Sequence, residues 1–211
     1  MSSGQLTKGQ NVMLSRTRLA FRLVTTPHGG IDVSALLLDD RGRVRGEPDF
    51  VFYNQPTHPS GGVWLGSGPD GARVEMDLGT VETDVERVIV AASVDSGGIG
   101  RYARIELTVT DLDTDEQLHH IRVIGESNEA AMVLAEVYRR QGSWKLRAVS
   151  QGYDIGLAGL ATVGEVTLPS SSPRRWGSHA DAPTEVIGVI SADETSLQLL
   201  GLQGAVSRRG F

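Results

Sequence analysis

The sequence predicts an all-β protein: an antiparallel β-sandwich with one or two short helices, followed by a linker and a C-terminal tail. Three observations carry this prediction. Short apolar runs recur over roughly the first 150 residues, each closed by a cluster of turn residues. Val74, Met76 and Leu78 alternate with polar neighbours, the period-two signature of a half-buried strand. Little helical periodicity separates the runs, which favours stacked antiparallel sheets over a parallel sheet with crossover helices.

Taken in order, Asp32-Val-Ser-Ala-Leu-Leu-Leu38 is an apolar run closed by Asp39-Asp-Arg-Gly42. Asp49-Phe-Val-Phe-Tyr53 follows and stops at Asn54-Gln-Pro56. Further strands are expected at Arg87 to Val94, Ala103 to Thr110, Leu118 to Ile124 and Trp144 to Val149. Between Ser127 and about Arg140, apolar residues at Ala130, Val133, Leu134, Val137 and Tyr138 fit one helical face. A helix is expected there, with Ser127 as its cap, Glu129 at the positive end of its dipole and Gly142 as its stop. A short helical turn between Gly152 and Val163 is expected to close the domain.

Leu168-Pro-Ser-Ser-Ser-Pro-Arg-Arg-Trp-Gly-Ser178 is Pro/Ser/Gly-rich and reads as a linker. The expected organisation is a sandwich over residues 1–166, a linker over 167–184 and an apolar tail segment over 185–211.

Composition narrows the function. With 20 basic and 26 acidic residues the net charge is −6, the wrong sign for general nucleic-acid binding, which draws on a basic surface. There is no cysteine, so disulfides, zinc–thiolate sites and cysteine nucleophiles are excluded. No apolar stretch approaches the roughly 20 residues of a membrane helix, and residues 1–8 carry no secretory h-region. The expected location is the cytoplasm. Lys8 and Lys145 are the two lysines among the 20 basic residues, so nearly all the positive charge is arginine.

Several motifs suggest chemistry and fall short of it. Val94-Asp-Ser-Gly-Gly98 resembles the nucleophile segment of chymotrypsin-like proteases, but a triad is defined by three groups in geometry. Asp111-Leu-Asp-Thr-Asp115 matches the start of an EF-hand loop, yet Glu116 stands where Gly is needed and Arg122 where Glu is needed. It reads as a hairpin turn. His119 and His120 are adjacent on an expected strand, so they face opposite sides and do not pair on one metal. Ser96-Gly-Gly-Ile-Gly100 lacks the Gly-Lys-Ser/Thr of a phosphate loop. The chain is expected not to be an enzyme.

A spread of motifs in order resembles the TerD family of tellurium-resistance and stress proteins. Gln10-Asn-Val-Met-Leu-Ser15 is similar to the family's opening strand, and Asp32-Val-Ser-Ala-Leu-Leu-Leu-Asp39 to its Asp-x-Asp-x-Ser-Ala-Phe-Leu-Leu signature. Gly42-Arg-Val-Arg45 with Asp49-Phe-Val-Phe-Tyr-Asn54 is similar to its Gly-Lys-Val…Asp-Phe-Ile-Phe-Tyr-Asn segment. Glu129-Ala-Ala-Met132, Glu136-Val-Tyr-Arg139 and Trp144-Lys-Leu-Arg-Ala-Val-Ser-Gln-Gly-Tyr153 are similar to its closing block.

The resemblance implies an antiparallel sandwich, about residues 5 to 165, binding calcium through acidic loops at one end. Calcium takes about six to eight oxygens, which loop carboxylates and carbonyls supply. Asp32, Asp49 and Asn54 stand where the family places such oxygens, and Asp70 matches the first acid of its Asp-Asp-Glu loop. Gly30 replaces the first Asp of Asp-x-Asp, while Gly71 and Ala72 stand where Asp and Glu would be. The expectation is weak calcium binding at a partly eroded site. The alternative is a metal-free interaction domain, recruited to an unidentified protein through its tail.

That tail, Leu197-Gln-Leu-Leu-Gly-Leu-Gln-Gly204 followed by Arg208 and Arg209, loosely resembles the docking peptides of encapsulin cargo. Spaced leucines suit a partner's groove. They equally suit a segment, Val186 to Leu202, folded back onto the sandwich.

Overall fold

A computed structural model of the chain describes residues 4–68, 71–125, 128–154 and 156. They fall within one compact unit, Met1–Thr167. The expected linker, the tail and most of the turn at 152–163 lie outside the described residues.

Among the described residues, twelve strands form two six-stranded sheets. They are β1 (Gly4–Leu6), β2 (Asn11–Met13), β3 (Arg18–Thr26), β4 (Asp32–Leu38), β5 (Phe50–Val51) and β6 (Val63–Gly68), then β7 (Gly71–Asp77), β8 (Arg87–Ser93), β9 (Arg104–Asp111), β10 (Gln117–Val123), β11 (Ala131–Arg140) and β12 (Ser143–Tyr153). One sheet runs β1-β10-β9-β3-β7-β6 and the other β2-β12-β11-β8-β4-β5. Every pairing is antiparallel except β1 with β10, which is parallel. The expected all-β antiparallel class is what the structure shows.

Alternation sets which side chains meet between the sheets. On β3, Leu19, Phe21 and Leu23 enter the core, facing Val33, Ala35 and Leu37 of β4 and Val88, Val90 and Ala92 of β8. Each such Leu, Val or Phe side chain, fully buried, contributes about 1.5–3 kcal/mol of transfer free energy. The β4 and β8 runs are buried on both faces, for Leu36, Ile89 and Ala91 are as covered as their inward neighbours. That double burial explains why these segments read as unbroken apolar runs.

Where a helix is expected from Ser127 to Arg140, residues Ala131–Arg140 form strand β11, paired with β8 on one side and β12 on the other. Two features produced the false helical period. Residues 131–137 are all buried, Glu136 included, so no exposed residue marks an outer face. A bulge between Val133 and Ala135 shifts the ladder by one residue, so inward positions fall at Met132, Leu134, Ala135 and Val137. That spacing mimics three-and-four periodicity. Among the described residues the helical content is two 3-10 turns, Glu47–Asp49 and Ile99–Arg101.

Candidate functional site

The most developed polar site grows from the turn before β5. Pro48 fixes its own backbone inside Glu47–Asp49, and the Asp49 N–H donates to the Gly46 carbonyl at 3.1 Å. Gln55 Nε2 donates to the carbonyls of Glu47 (2.8 Å) and Phe50 (2.7 Å), tying the turn to the loop that follows. The turn aims Asp49 inward, where it is only 3% exposed.

A carboxylate so buried needs partners, and it has them. Arg45 grips it in a fork, Nε 2.7 Å from Oδ2 and Nη2 2.8 Å from Oδ1, and the Arg45 backbone N–H donates to Oδ2 at 3.0 Å. His58, 1% exposed, places Nε2 3.0 Å from Oδ1. Its Nδ1 accepts the Ser60 backbone N–H at 3.2 Å, which assigns the proton to Nε2 and makes His58 a donor to Asp49. Arg45 also reaches Glu82 Oε2 and Asp84 Oδ2, each at 2.5 Å. Burial pushes the Asp49 carboxyl up, but the hydrogen bonds from Arg45 and His58 outweigh it and hold the group below the usual carboxylate range. Arg45 is raised, first by its bond to Asp49. Asp84 is lowered by its bond from Arg45. Beside this cluster lies an open recess of about 430 Å³, lined by Arg45, Pro48, Asp49, His58, Pro59 and Glu82.

Ser60 Oγ lies 2.8 Å from His58 Nδ1, completing a Ser–His–Asp string. It closes a turn: the Gly62 N–H donates to Ser60 Oγ at 3.1 Å, the Gly61 N–H to the His58 carbonyl at 2.8 Å, and the His58 N–H to the Val63 carbonyl at 2.9 Å. The imidazole is shut from solvent, and the Asp49 charge is already matched by Arg45.

Of the four residues assigned to calcium, three are described, and Asp32 and Asp49 lie far apart. Phe50 pairs with Leu36, which sets Asp49 beside Leu37, while Asp32 lies five residues along β4, roughly 17 Å away at about 3.3 Å per residue. Asn54 is exposed in the turn between Phe52 and Gln55. Asp70 lies outside the described residues. Gly66–Gly68 and Gly71–Arg73 pair as a ladder, Gly66↔Arg73, Ser67↔Ala72 and Gly68↔Gly71. Asp32 is solvent-facing and partly crowded; burial first, then the like charge of Asp95, pushes its carboxyl up. Among the described residues no group of three or more His, Asp or Glu side chains converges as a metal cage.

Arginine recurs where acids stand. Arg16 Nε lies 3.0 Å from Asp111 Oδ2, and Arg18 pairs with Asp113 and, at 3.8 Å, Asp77. The Asp111–Asp115 segment is the hairpin turn between β9 and β10, closed by the Asp111 N–H to the Glu116 carbonyl at 2.9 Å. Sequence reasoning missed Arg45, His58, Glu82 and Asp84. Only Arg45 carried a signal, its place in the motif leading to Asp49.

Two stacked six-stranded sheets with charged loops cross-tied by arginine define a β-sandwich domain. A family model described as the TerD domain matches residues 2–163, and the chain belongs to the TerD family. It is 31% identical over 182 residues to tellurium resistance protein TerD of Serratia marcescens, covering 75% of this chain and 95% of that one. It is 30% identical over 182 residues to general stress protein 16U of Bacillus subtilis, covering 74% and 94%. In structure it resembles a homologue of telluride resistance protein TerD from Streptomyces coelicolor, with TM-score 0.54, 18% identity, and coverage of 71% and 97%.

Proposed function

We propose that this chain serves resistance to tellurium and chemical damage as a non-catalytic binding module that works without calcium. Family membership and relatives named for tellurium resistance and general stress support the role. The observation that carries the calcium-independent reading is the saturation of Asp49: Arg45 and His58 hold both its oxygens. A cation would have to displace a guanidinium already held by Asp49, Glu82 and Asp84. In this reading the module acts in the cytoplasm through a protein partner, and the charged recess beside Asp49 is the surface offered.

Thermal unfolding in millimolar calcium against chelator tests it. Ligands that bind the native state raise its melting temperature; no rise is expected. A dose-dependent rise that Asp49→Asn abolishes would restore the calcium reading.

A further inference from the structure

At the Asp32 end of the sandwich, two loops meet over one arginine. The 3-10 turn Ile99–Arg101 lies in the β8–β9 loop and presents Arg101 to the β3–β4 loop. Its Nη1 donates to the Ser96 carbonyl at 2.7 Å, and its Nη2 to the Gly30 carbonyl at 2.7 Å and to Tyr102 Oη at 2.8 Å. Tyr102, 6% exposed, passes its own hydroxyl proton to the Gly29 carbonyl at 2.9 Å. The guanidinium carbon sits 5.0 Å from the Tyr102 ring centroid, within cation–π range. Two backbone carbonyls and a phenol thus converge on one positive charge. Carbonyl oxygens gathered from separate loops are also what a hard cation collects.

The backbone is shaped for the guanidinium. Gly30 has φ +69°, and a Cβ there would stand 2.9 Å from Arg101 Nη2 and 3.2 Å from Tyr102 Oη. A carboxylate side chain at position 30, the one the family resemblance calls for, has no room while Arg101 is seated.

We propose that Arg101 is a built-in cation that locks the β3–β4 loop to the β8–β9 loop, so that this end of the sandwich is closed at every calcium concentration. The inference extends the calcium-independent reading but stands on different residues, since Asp49 lies at the other end of β4. A fixed clamp of this kind removes calcium as a signal and leaves the loops preorganised.

Hydrogen exchange on the full chain, with and without calcium, tests the clamp in the segments 27–32 and 95–102. In the native protein both should exchange at the same rate in millimolar calcium and in chelator. Arg101→Ala removes several charge-assisted bonds and should speed exchange there by about tenfold, the order of one such bond, with the rest of the sandwich unchanged. Arg101→Lys keeps the charge but loses the fork, and should fall between. Arg101→Gln, with the melting temperature read in parallel, guards against a variant that merely misfolds. Loops that exchange alike in Arg101→Ala and the native protein would overturn the clamp. So would loops that calcium protects further in the native protein. Failure of the preceding reading looks different: a calcium-dependent melting shift that requires Asp49.

Discussion

Arg45 and Asp49 face each other as fork to fork, Nε 2.7 Å from Oδ2 and Nη2 2.8 Å from Oδ1, yet they are not equally dependent on the pair. Asp49 is 5% exposed at its side chain, and its other side-chain partner is His58. Arg45 is 24% exposed and keeps Glu82 and Asp84 if Asp49 is lost.

Arg45→Ala should therefore cost more than Asp49→Asn. Removing one partner of a buried pair costs about 3–5 kcal/mol when the other charge is stranded. Arg45→Ala strands Asp49 and should reach that range in urea unfolding. Asp49→Asn leaves Arg45 half-satisfied by surface acids and should cost about half as much. Equal losses would show that the two partners depend on the pair alike.

The same pair gives the protein an acid limit. The folded Asp49 carboxyl lies below its ordinary value of 3.8, so the unfolded chain binds its proton first as pH falls. The stabilisation is full above that ordinary value and is lost as pH drops through the depressed one. Stability measured from pH 5 to 2 should fall more steeply in the native protein than in Asp49→Asn.

Much of the sheet structure was legible because alternation and turn residues are local signals. Asp32 to Leu38 was marked out to the residue. β3 was passed over although Leu19, Phe21 and Leu23 alternate, and β11 was read as helix because a bulge and two-sided burial erased its period. The site was less legible. In the sequence Asp49 stands out by family resemblance as one of four calcium oxygens, and only the fold reveals that Arg45, four residues back, and His58, nine ahead, converge on it.

The strand assignment of β11 has its own test at Glu136. On an exposed helix face its removal would be nearly silent. In the sheet Glu136 is 1% exposed and pairs with Arg147, itself 12% exposed, and with Arg87 Nη1 at 3.7 Å. Glu136→Ala removes the buried carboxylate that Arg147 and Arg87 share and should destabilise by about 3–5 kcal/mol, checked by urea unfolding. A change within about 0.5 kcal/mol, the range of ordinary surface substitutions, would contradict this packing.

The family match ends at residue 163, and the compact unit at Thr167. A chain ending after Val166 should keep a single cooperative unfolding transition, since the core lies between the two sheets described. Calorimetry on the shortened chain checks this. A broad, non-cooperative melt would move the boundary into the residues beyond.

Asp32 separates the metal-bound and metal-free states by the sign of one substitution. Its folded carboxyl is raised above 3.8, by burial and then by Asp95. The folded state therefore holds the proton longer than the unfolded chain, and stability falls as pH rises through the raised value. Above that value the penalty is constant and ionised Asp32 is a net cost. Asp32→Asn removes it, so the variant should be more stable at pH 7, by under about 1 kcal/mol for so exposed a charge, and flatter as pH rises above the ordinary carboxylate value. A calcium ligand behaves in the opposite way, because neutralising it weakens the bound ion and lowers stability in calcium. Melting curves of the native protein and Asp32→Asn, with and without calcium, decide between the two signs.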